Sequence, residues 1–185
     1  MTRCPTILTD RLTMRPFVEA DLDSYARIMM SEPVRTSLRM PDDFDEYGAW
    51  QQMASFAGQW ELRGTGQWAL EERSSGRLVG RAGTHWPHRF DWPGVEVGWA
   101  LDPAVWGRGF ATEAGRATVG WAFDTLDVEE LCSMIHVENP RSSSVARRLG
   151  FEAVETRVFA WFAGMEHTRW VLPRAVWQRV ASAPR

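Results

Sequence analysis

Two glycines on either side of an arginine mark the segment of this chain best suited to bind an anion. The run Trp106-Gly107-Arg108-Gly109 follows a predicted strand that ends at Leu101, and a predicted helix begins at Gly109. The first N–H groups of a helix have no partner within it, the helix dipole is positive there, and glycine lets a ligand approach the backbone. The segment therefore predicts a phosphate or pyrophosphate site to which Arg108 adds charge.

These glycines do not follow the pattern of dinucleotide-binding proteins. That pattern, GxGxxG, would require a third glycine at position 112, where the chain has Thr112. A nicotinamide enzyme is therefore not expected. Taken alone, Gly107 and Gly109 are also compatible with a turn that binds nothing.

A second segment places a polar residue at the start of another predicted helix. Asn139 is the only asparagine of the chain, and Pro140 follows it, which is typical of a helix N-cap with proline at the first helical position. Gly150 lies where the helix would end. Capping by itself explains Asn139, and a ligand-binding role stays open at this point.

The chain contains no lysine, because all 21 residues counted as lysine or arginine are arginine. Schiff-base chemistry on lysine and the phosphate-binding lysine of a Walker A loop are therefore excluded.

Composition and charge indicate one globular domain. The 185 residues are 44% hydrophobic and 24% charged, and no apolar run is long enough to span a membrane. The net charge of −3 argues against a nucleic-acid partner. Two cysteines, Cys4 and Cys132, and a start without an apolar signal region favour a reducing cytoplasm.

Alternating helical and strand patterns must position the two segments. Helices are predicted at residues 19–30, 45–62, 109–123 and 140–149, and strands at 9–17, 67–72, 77–86, 94–101, 131–137, 151–161 and 165–172. The prediction is a mixed α/β fold in which helices pack on a largely sequential sheet.

Taken together, the motifs resemble those of the GNAT superfamily of N-acetyltransferases, and more narrowly its RimJ/RimL-like branch. The resemblance rests on residues 106–114, on Asn139-Pro140-Arg141-Ser142 and on Leu149-Gly150-Phe151, with an opening at residues 9–17 that is also similar. It extends over about residues 7–172 of a single domain spanning 1–185. It implies a mostly antiparallel, twisted sheet of about seven strands, flanked by helices and splayed in the middle to hold acetyl-CoA.

The resemblance implies acetyl-CoA as donor and an amine acceptor, either a small molecule or a protein N-terminus. It also makes a homodimer reasonable and requires no metal. The residues that it assigns to the donor are Leu101, Trp106, Gly107, Arg108, Gly109, Phe110, Ala111, Thr112, Asn139 and Ser142.

Acetyl transfer to an amine needs a base for the ammonium and an acid near the sulfur that leaves. Glu96, on the strand before the loop, is the candidate base, acting through water; a carboxylate paired with arginine or facing solvent is the alternative. Many family members place a tyrosine acid seven residues after the asparagine, but that position is Ala146 here. Ser142 is the remaining candidate acid, although it could simply bind the helix or the donor.

Three further interpretations of the sequence concern a non-catalytic module, a zinc site and an acceptor pocket. A non-catalytic module that uses the acyl-CoA pocket as a sensor or assembly surface would also be compatible with the missing tyrosine. A zinc site built on His85 and His88 matches no common ligand pattern. The acidic N-terminal third, together with Trp50, Trp60, Trp86 and Trp92, suggests a pocket for a cationic, partly apolar amine.

Overall fold

The chain folds around one eight-stranded sheet. The computed structural model describes residues 4–87, 92–159 and 164–182. The strands are β1 (Ile7–Leu8), β2 (Leu12–Arg15), β3 (Gln67–Glu72), β4 (Arg77–His85), β5 (Glu96–Leu101), β6 (Glu130–His136), β7 (Glu152–Val158) and β8 (Glu166–Pro173). They lie in the order β1-β2-β3-β4-β5-β6-β8-β7, and every pair is antiparallel except β5 with β6.

Six α-helices accompany the sheet. They are α1 (Leu22–Met30), α2 (Glu32–Leu38), α3 (Glu46–Arg63), α4 (Phe110–Thr125), α5 (Pro140–Leu149) and α6 (Arg174–Ser182). Local signals set their ends: the Asp45 side chain accepts from the Gly48 amide at the start of α3, and Gly64 ends it at φ 65°. In the described ranges, no helix is long and apolar enough to cross a membrane.

The sheet divides between its two parallel strands. β5 and β6 pair at one position in the described chain, where Glu96 lies opposite Cys132 and the Cys132 amide donates to the carbonyl of Val95 at 2.9 Å. β4 and β8 pair along the other edges of these two strands. The β1–β5 half and the β6–β8 half therefore separate toward the carboxyl ends of β5 and β6, which confirms the expected splay.

Each face of the sheet has its own apolar core. Helices α1, α2 and α3 cover one face, where Tyr25, Met29 and Phe56 are buried. Helices α4 and α5 pack on the other face, where the core includes Trp68 and Phe110. Three tryptophans form one cluster at this core, in which the rings of Trp60, Trp68 and Trp121 meet edge to face with centroids 4.7 to 5.2 Å apart.

The expected mixed α/β fold is confirmed, with eight strands rather than about seven. The additional strand is β1, which lies just before the predicted strand at 9–17 and pairs with β2 within that range. Helices α2 and α6 were not predicted. The last residues of the predicted strand at 151–161, and His88 of the proposed zinc pair, lie outside the described residues.

Candidate active site

A large cavity lies where β5 and β6 separate. Its volume is about 1320 Å³. Its walls come from the end of β5 and the turn that follows, the N-terminal parts of α4 and α5, and three residues of α2: Val34, Ser37 and Leu38. Both segments singled out in the sequence therefore face the same space.

The turn between β5 and α4 presents unpaired backbone N–H groups. The Asp102 side chain caps a 3-10 turn at Pro103–Val105 by accepting from the Ala104 amide at 2.9 Å. Gly107 and Gly109 then adopt φ of 79° and 83°, a region that favours glycine. Within the described chain, the amides of Gly107, Gly109 and residues 110–112 have no hydrogen-bond acceptor. Five N–H groups at a helix start form a cradle of the kind that binds a pyrophosphate.

Side chains of this segment hold the turn in place. The indole Nε1 of Trp106 donates to the carbonyl of Leu101 at 2.8 Å, and the Arg141 guanidinium lies 4.5 Å from the center of the Trp106 ring. Phe110 is 1% exposed and anchors the start of α4 in the core. Leu101, Trp106, Phe110, Ala111 and Thr112, which the sequence analysis assigned to the donor, all line the cavity.

Arg108 does not contribute its charge as expected. Its guanidinium donates to Glu72 Oε1 at 2.6 Å and lies over the Phe110 ring, outside the cavity lining. Its amide donates to the carbonyl of Val105 at 3.3 Å. The contact with Glu72 joins residues far apart in sequence, so spacing alone could not reveal it.

Other arginines bring positive charge to the cavity. Arg11, Arg116, Arg141 and Arg148 line the cavity, and Arg116 and Arg148 form no ion pair within the described chain. Arg11 is held by Glu113, with Nε to Oε2 at 2.7 Å. None of the four was assigned to the donor from the sequence, although Arg11 and Arg141 lie in segments that carry the family resemblance.

Asn139 is the N-cap of α5. Its Oδ1 accepts from the amide of Ser142 at 3.0 Å, and its Nδ2 donates to the carbonyl of Ser37 at 2.9 Å. The side chain is 8% exposed and lines the cavity. Capping therefore uses the oxygen of this amide, while its nitrogen ties α5 to α2 across the splay.

The Ser142 side chain faces the cavity with its hydroxyl available. Only its backbone amide is hydrogen-bonded, and Oγ has no partner among the residues that the structure describes. Its side chain can therefore meet a ligand in the cavity.

Glu96 lies at the root of the splay. Its Oε1 accepts from the amide of Met134 on β6 at 3.3 Å, just beyond the last paired position of β5 and β6. The side chain is half-buried, and burial raises the pKa of its carboxyl to about 7, although the Met134 amide and the charge of Arg81 lower it. Glu96 is not part of the cavity lining, but its pKa suits a base at neutral pH.

His85 lies opposite Glu96 on the neighbouring strand. The Oε1 of Gln59 accepts from the amide of Trp86, so Nε2 of Gln59 donates to Nδ1 of His85 at 3.1 Å. Burial lowers the pKa of His85 to about 4, so the ring is neutral at pH 7. Among the described residues no group of His, Cys, Asp or Glu could hold a metal ion.

The tryptophans proposed for an acceptor pocket do not come together. Trp60 is 4% exposed in the core cluster described above. Trp50 stacks on Tyr47 at the surface, Trp86 lies under Arg63, and Trp92 meets the His85 ring edge to face with centroids 5.4 Å apart. An aromatic pocket formed by these residues as a set is therefore not supported by the structure.

Comparison with known proteins identifies relatives of the whole domain. A family model described as an acetyltransferase (GNAT) domain matches residues 11–152. An uncharacterized N-acetyltransferase of Bacillus subtilis, YoaA, is 23% identical over 151 residues, which is 80% of this chain and 83% of the relative.

Solved structures show the same fold. An acetyltransferase from Agrobacterium tumefaciens superposes with a TM-score of 0.78 at 30% identity, covering 92% of this chain and 95% of the other. A ribosomal-protein-S5-alanine acetyltransferase from Vibrio fischeri has a TM-score of 0.75 at 16% identity, with 94% and 99% of the two chains covered.

Proposed function

The chain belongs to the GNAT acetyltransferase family and is therefore an acyltransferase with acetyl-CoA as donor; from this premise we propose that it acetylates a primary amine by direct transfer, with Glu96 as base. The observation that carries the proposal is the position of Glu96 where the pairing of β5 and β6 ends, at the root of the splay that contains the cavity. The free amides after β5 lie at one end of the splay, and the carboxyl of Glu96 lies at its root.

The residues present fit the donor. Five free amides at the start of α4 can bind the two charges of a pyrophosphate, and Arg116 and Arg148 add positive charge to the same cavity. The cavity continues between α2 and α5, where Val34 and Leu38 offer apolar contact for the pantetheine chain. A donor bound in this way would place its thioester toward the strands.

Glu96 acts as the base in this proposal. The nitrogen of a neutral amine forms a bond to the thioester carbonyl carbon, the carbon–sulfur bond breaks, and CoA leaves as a thiolate. Glu96 accepts a proton from the amine, directly or through water, and its pKa of about 7 lets it do so at neutral pH.

Ser142 is the proposed source of the proton for the leaving sulfur. Its hydroxyl faces the cavity without a partner in the described chain, which leaves it able to donate. Tyr25 and Tyr47, the two tyrosines of the chain, lie away from α5: Tyr25 is buried under α3, and Tyr47 is on the surface. Direct protonation by water is the alternative.

We further propose that the chain belongs to the RimJ/RimL-like branch, acts in the cytoplasm and forms a homodimer. It rests on the motifs of residues 9–17, 106–114 and 139–142 and on the cysteine content. Protein N-terminal amines and small-molecule amines are the two kinds of acceptor that this resemblance suggests.

The decisive experiment measures release of the CoA thiol from acetyl-CoA in the presence of an amine panel, for the wild type and Glu96→Gln. We expect amine-dependent release that falls strongly in the variant, while acetyl-CoA binding measured by calorimetry is unchanged. Binding without turnover of any amine would favour the non-catalytic sensor or assembly module. A wild-type protein that does not bind acetyl-CoA would contradict the whole proposal.

A further inference from the structure

One face of the sheet collects polar side chains around Glu96. The register of β3, β4 and β5 places Ala69, Arg81 and Ala100 side by side, and places His85 beside Glu96. Cross-strand partners share a face, and side chains alternate along a strand, so Arg81 and Glu96 lie on the same face. It is the face covered by α1 and α3, because Ala69 and Ala100 belong to their core.

Arg81 is held rigidly on this face. Its Nη1 donates to Oε1 of Gln67 at 3.0 Å, and its guanidinium lies 5.4 Å from the center of the Phe56 ring. Gln67 is itself 2% exposed, and its Nε2 donates to the carbonyl of Thr84 at 3.3 Å. The buried amide therefore fixes the position of the guanidinium before any ligand arrives.

The charge of Arg81 has no carboxylate partner. The half-buried side chain forms no ion pair within the described chain, and its buried Nε has no hydrogen-bond acceptor. Buried charges in proteins are normally paired, since removing an ion from water is costly. Its charge lowers the pKa of the Glu96 carboxyl on the same face, against the larger effect of burial, which raises it.

The strand between the two groups carries no side chain at its middle position on this face. Gly98 lies on this face between Glu96 and Ala100, is partly exposed, and has a backbone conformation open to any residue. A Cβ at this position would meet its nearest atom, Gln67 Nε2, at 3.8 Å, which is ordinary contact. Neither the backbone conformation nor close packing therefore requires glycine at this position. Because glycine has no side chain, nothing projects from β5 between Glu96 and Ala100 on this face.

We propose that the acceptor is a small amine that carries a carboxylate, which Arg81 binds while the amine lies beside Glu96. The inference rests on the proposed function and specifies its acceptor. An arginine that is already fixed and has no ion pair within the described chain matches a carboxylate in charge. A polyamine would meet this positive charge, so the site selects against the cationic acceptor suggested by the acidic N-terminal third.

The test compares acceptors that differ by the carboxylate. Leucine is compared with leucinamide and isopentylamine, phenylalanine with 2-phenylethylamine, and a short peptide represents a protein N-terminus. Each is assayed with the wild type and with Arg81→Met, which keeps length and loses charge. Arg77→Met, on the same strand but exposed, is the matched control.

The expected result is a preference of the wild type for the amino acids over their decarboxylated partners. Arg81→Met should lower kcat/KM for the amino acids by about tenfold or more and leave the other amines within about twofold. Arg77→Met should leave every value near that of the wild type. Because each acceptor is compared with itself across variants, differences in amine basicity cancel.

Three results would overturn the inference. They are a wild-type preference for the decarboxylated amines or the peptide, an equal loss for all acceptors in Arg81→Met, and no turnover of any acceptor. The first two leave the proposed function standing, because amines are still acetylated. If Arg81→Met does not fold, the wild-type preference between matched acceptors decides the question, and failure to bind acetyl-CoA refutes the proposed function separately.

Discussion

The pH dependence of acetyl transfer should report the ionisation of Glu96. Burial raises the pKa of its carboxyl to about 7, whereas an ordinary glutamate titrates near 4.5. Such a carboxyl is about one-tenth ionised at pH 6 and about nine-tenths ionised at pH 8. If the ionised form takes the proton from the amine, kcat/KM should rise about tenfold over this interval through Glu96 alone.

The assay must separate Glu96 from the acceptor, whose own amine also titrates. Glu96→Gln is the suitable reference, because a glutamine oxygen can still accept from the Met134 amide but cannot take a proton. The ratio of kcat/KM between the wild type and Glu96→Gln, measured from pH 4 to pH 8.5, cancels the titration of the acceptor. We expect that ratio to rise with a midpoint near 7 and to level above it.

A ratio that does not change with pH would show that the ionisation of Glu96 is not part of the reaction. A midpoint near the ordinary value of 4.5 would show instead that the site is better solvated than the structure indicates. Circular dichroism at each pH, recorded for both proteins, ensures that the ratio compares folded enzymes.

Three substitutions test the parts of the site that hold the donor. Gly109→Ala forces alanine to φ 83°, at a cost of about 1 kcal/mol, and distorts the amide turn, so the acetyl-CoA Kd should rise about tenfold by calorimetry. Gly115→Val separates α4 from α5, since even a Cβ would meet Leu149 Cδ1 at 2.7 Å, and should lower the free energy of unfolding by about 1–3 kcal/mol in urea titration. Asn139→Ala removes the N-cap and the bond to the Ser37 carbonyl, and should cost about 1–2 kcal/mol in the same titration.

Each substitution has a matched control. Gly120→Ala on the same helix as Gly115 would bring only ordinary contact with Trp177, so its unfolding free energy should not fall. Asn139→Ser keeps a cap and loses the link to α2, and should lie between wild type and Asn139→Ala. Unchanged donor affinity in Gly109→Ala would argue that the turn does not bind the pyrophosphate.

The sequence predicted the parts of the site that depend on neighbours in the chain. A turn is indicated by the conformational preference of the glycines at 107 and 109. A helix start is indicated in the same way by the pair Asn139-Pro140. These signals act over a few residues, so the spacing of the motifs was sufficient to locate them.

Contacts between segments that are distant in the chain could not be predicted from the sequence. Arg108 pairs with Glu72 across 36 positions, and Asn139 reaches Ser37 across 102, so neither partner could be read from spacing. The partial burial of Arg81 likewise depends on helix α3 packing over the sheet.

Helix α2 was not predicted from the sequence for a different reason. Pro33 favours a break in the chain, but it lies in the first turn of α2, where proline removes no helical hydrogen bond. The helix is therefore possible, and its packing over the cavity, rather than its own propensity, accounts for its presence.

The central claim is that acetyl-CoA lies between β5 and β6 with its pyrophosphate on the amides of residues 107–112. Amide hydrogen exchange, resolved by NMR or by mass spectrometry of short fragments, measures those N–H groups directly. The account predicts that exchange at Gly107, Gly109 and residues 110–112 slows markedly when CoA is added, while the exposed turn at Gly76 is unchanged. Exchange at these amides that is the same with and without saturating CoA would contradict it.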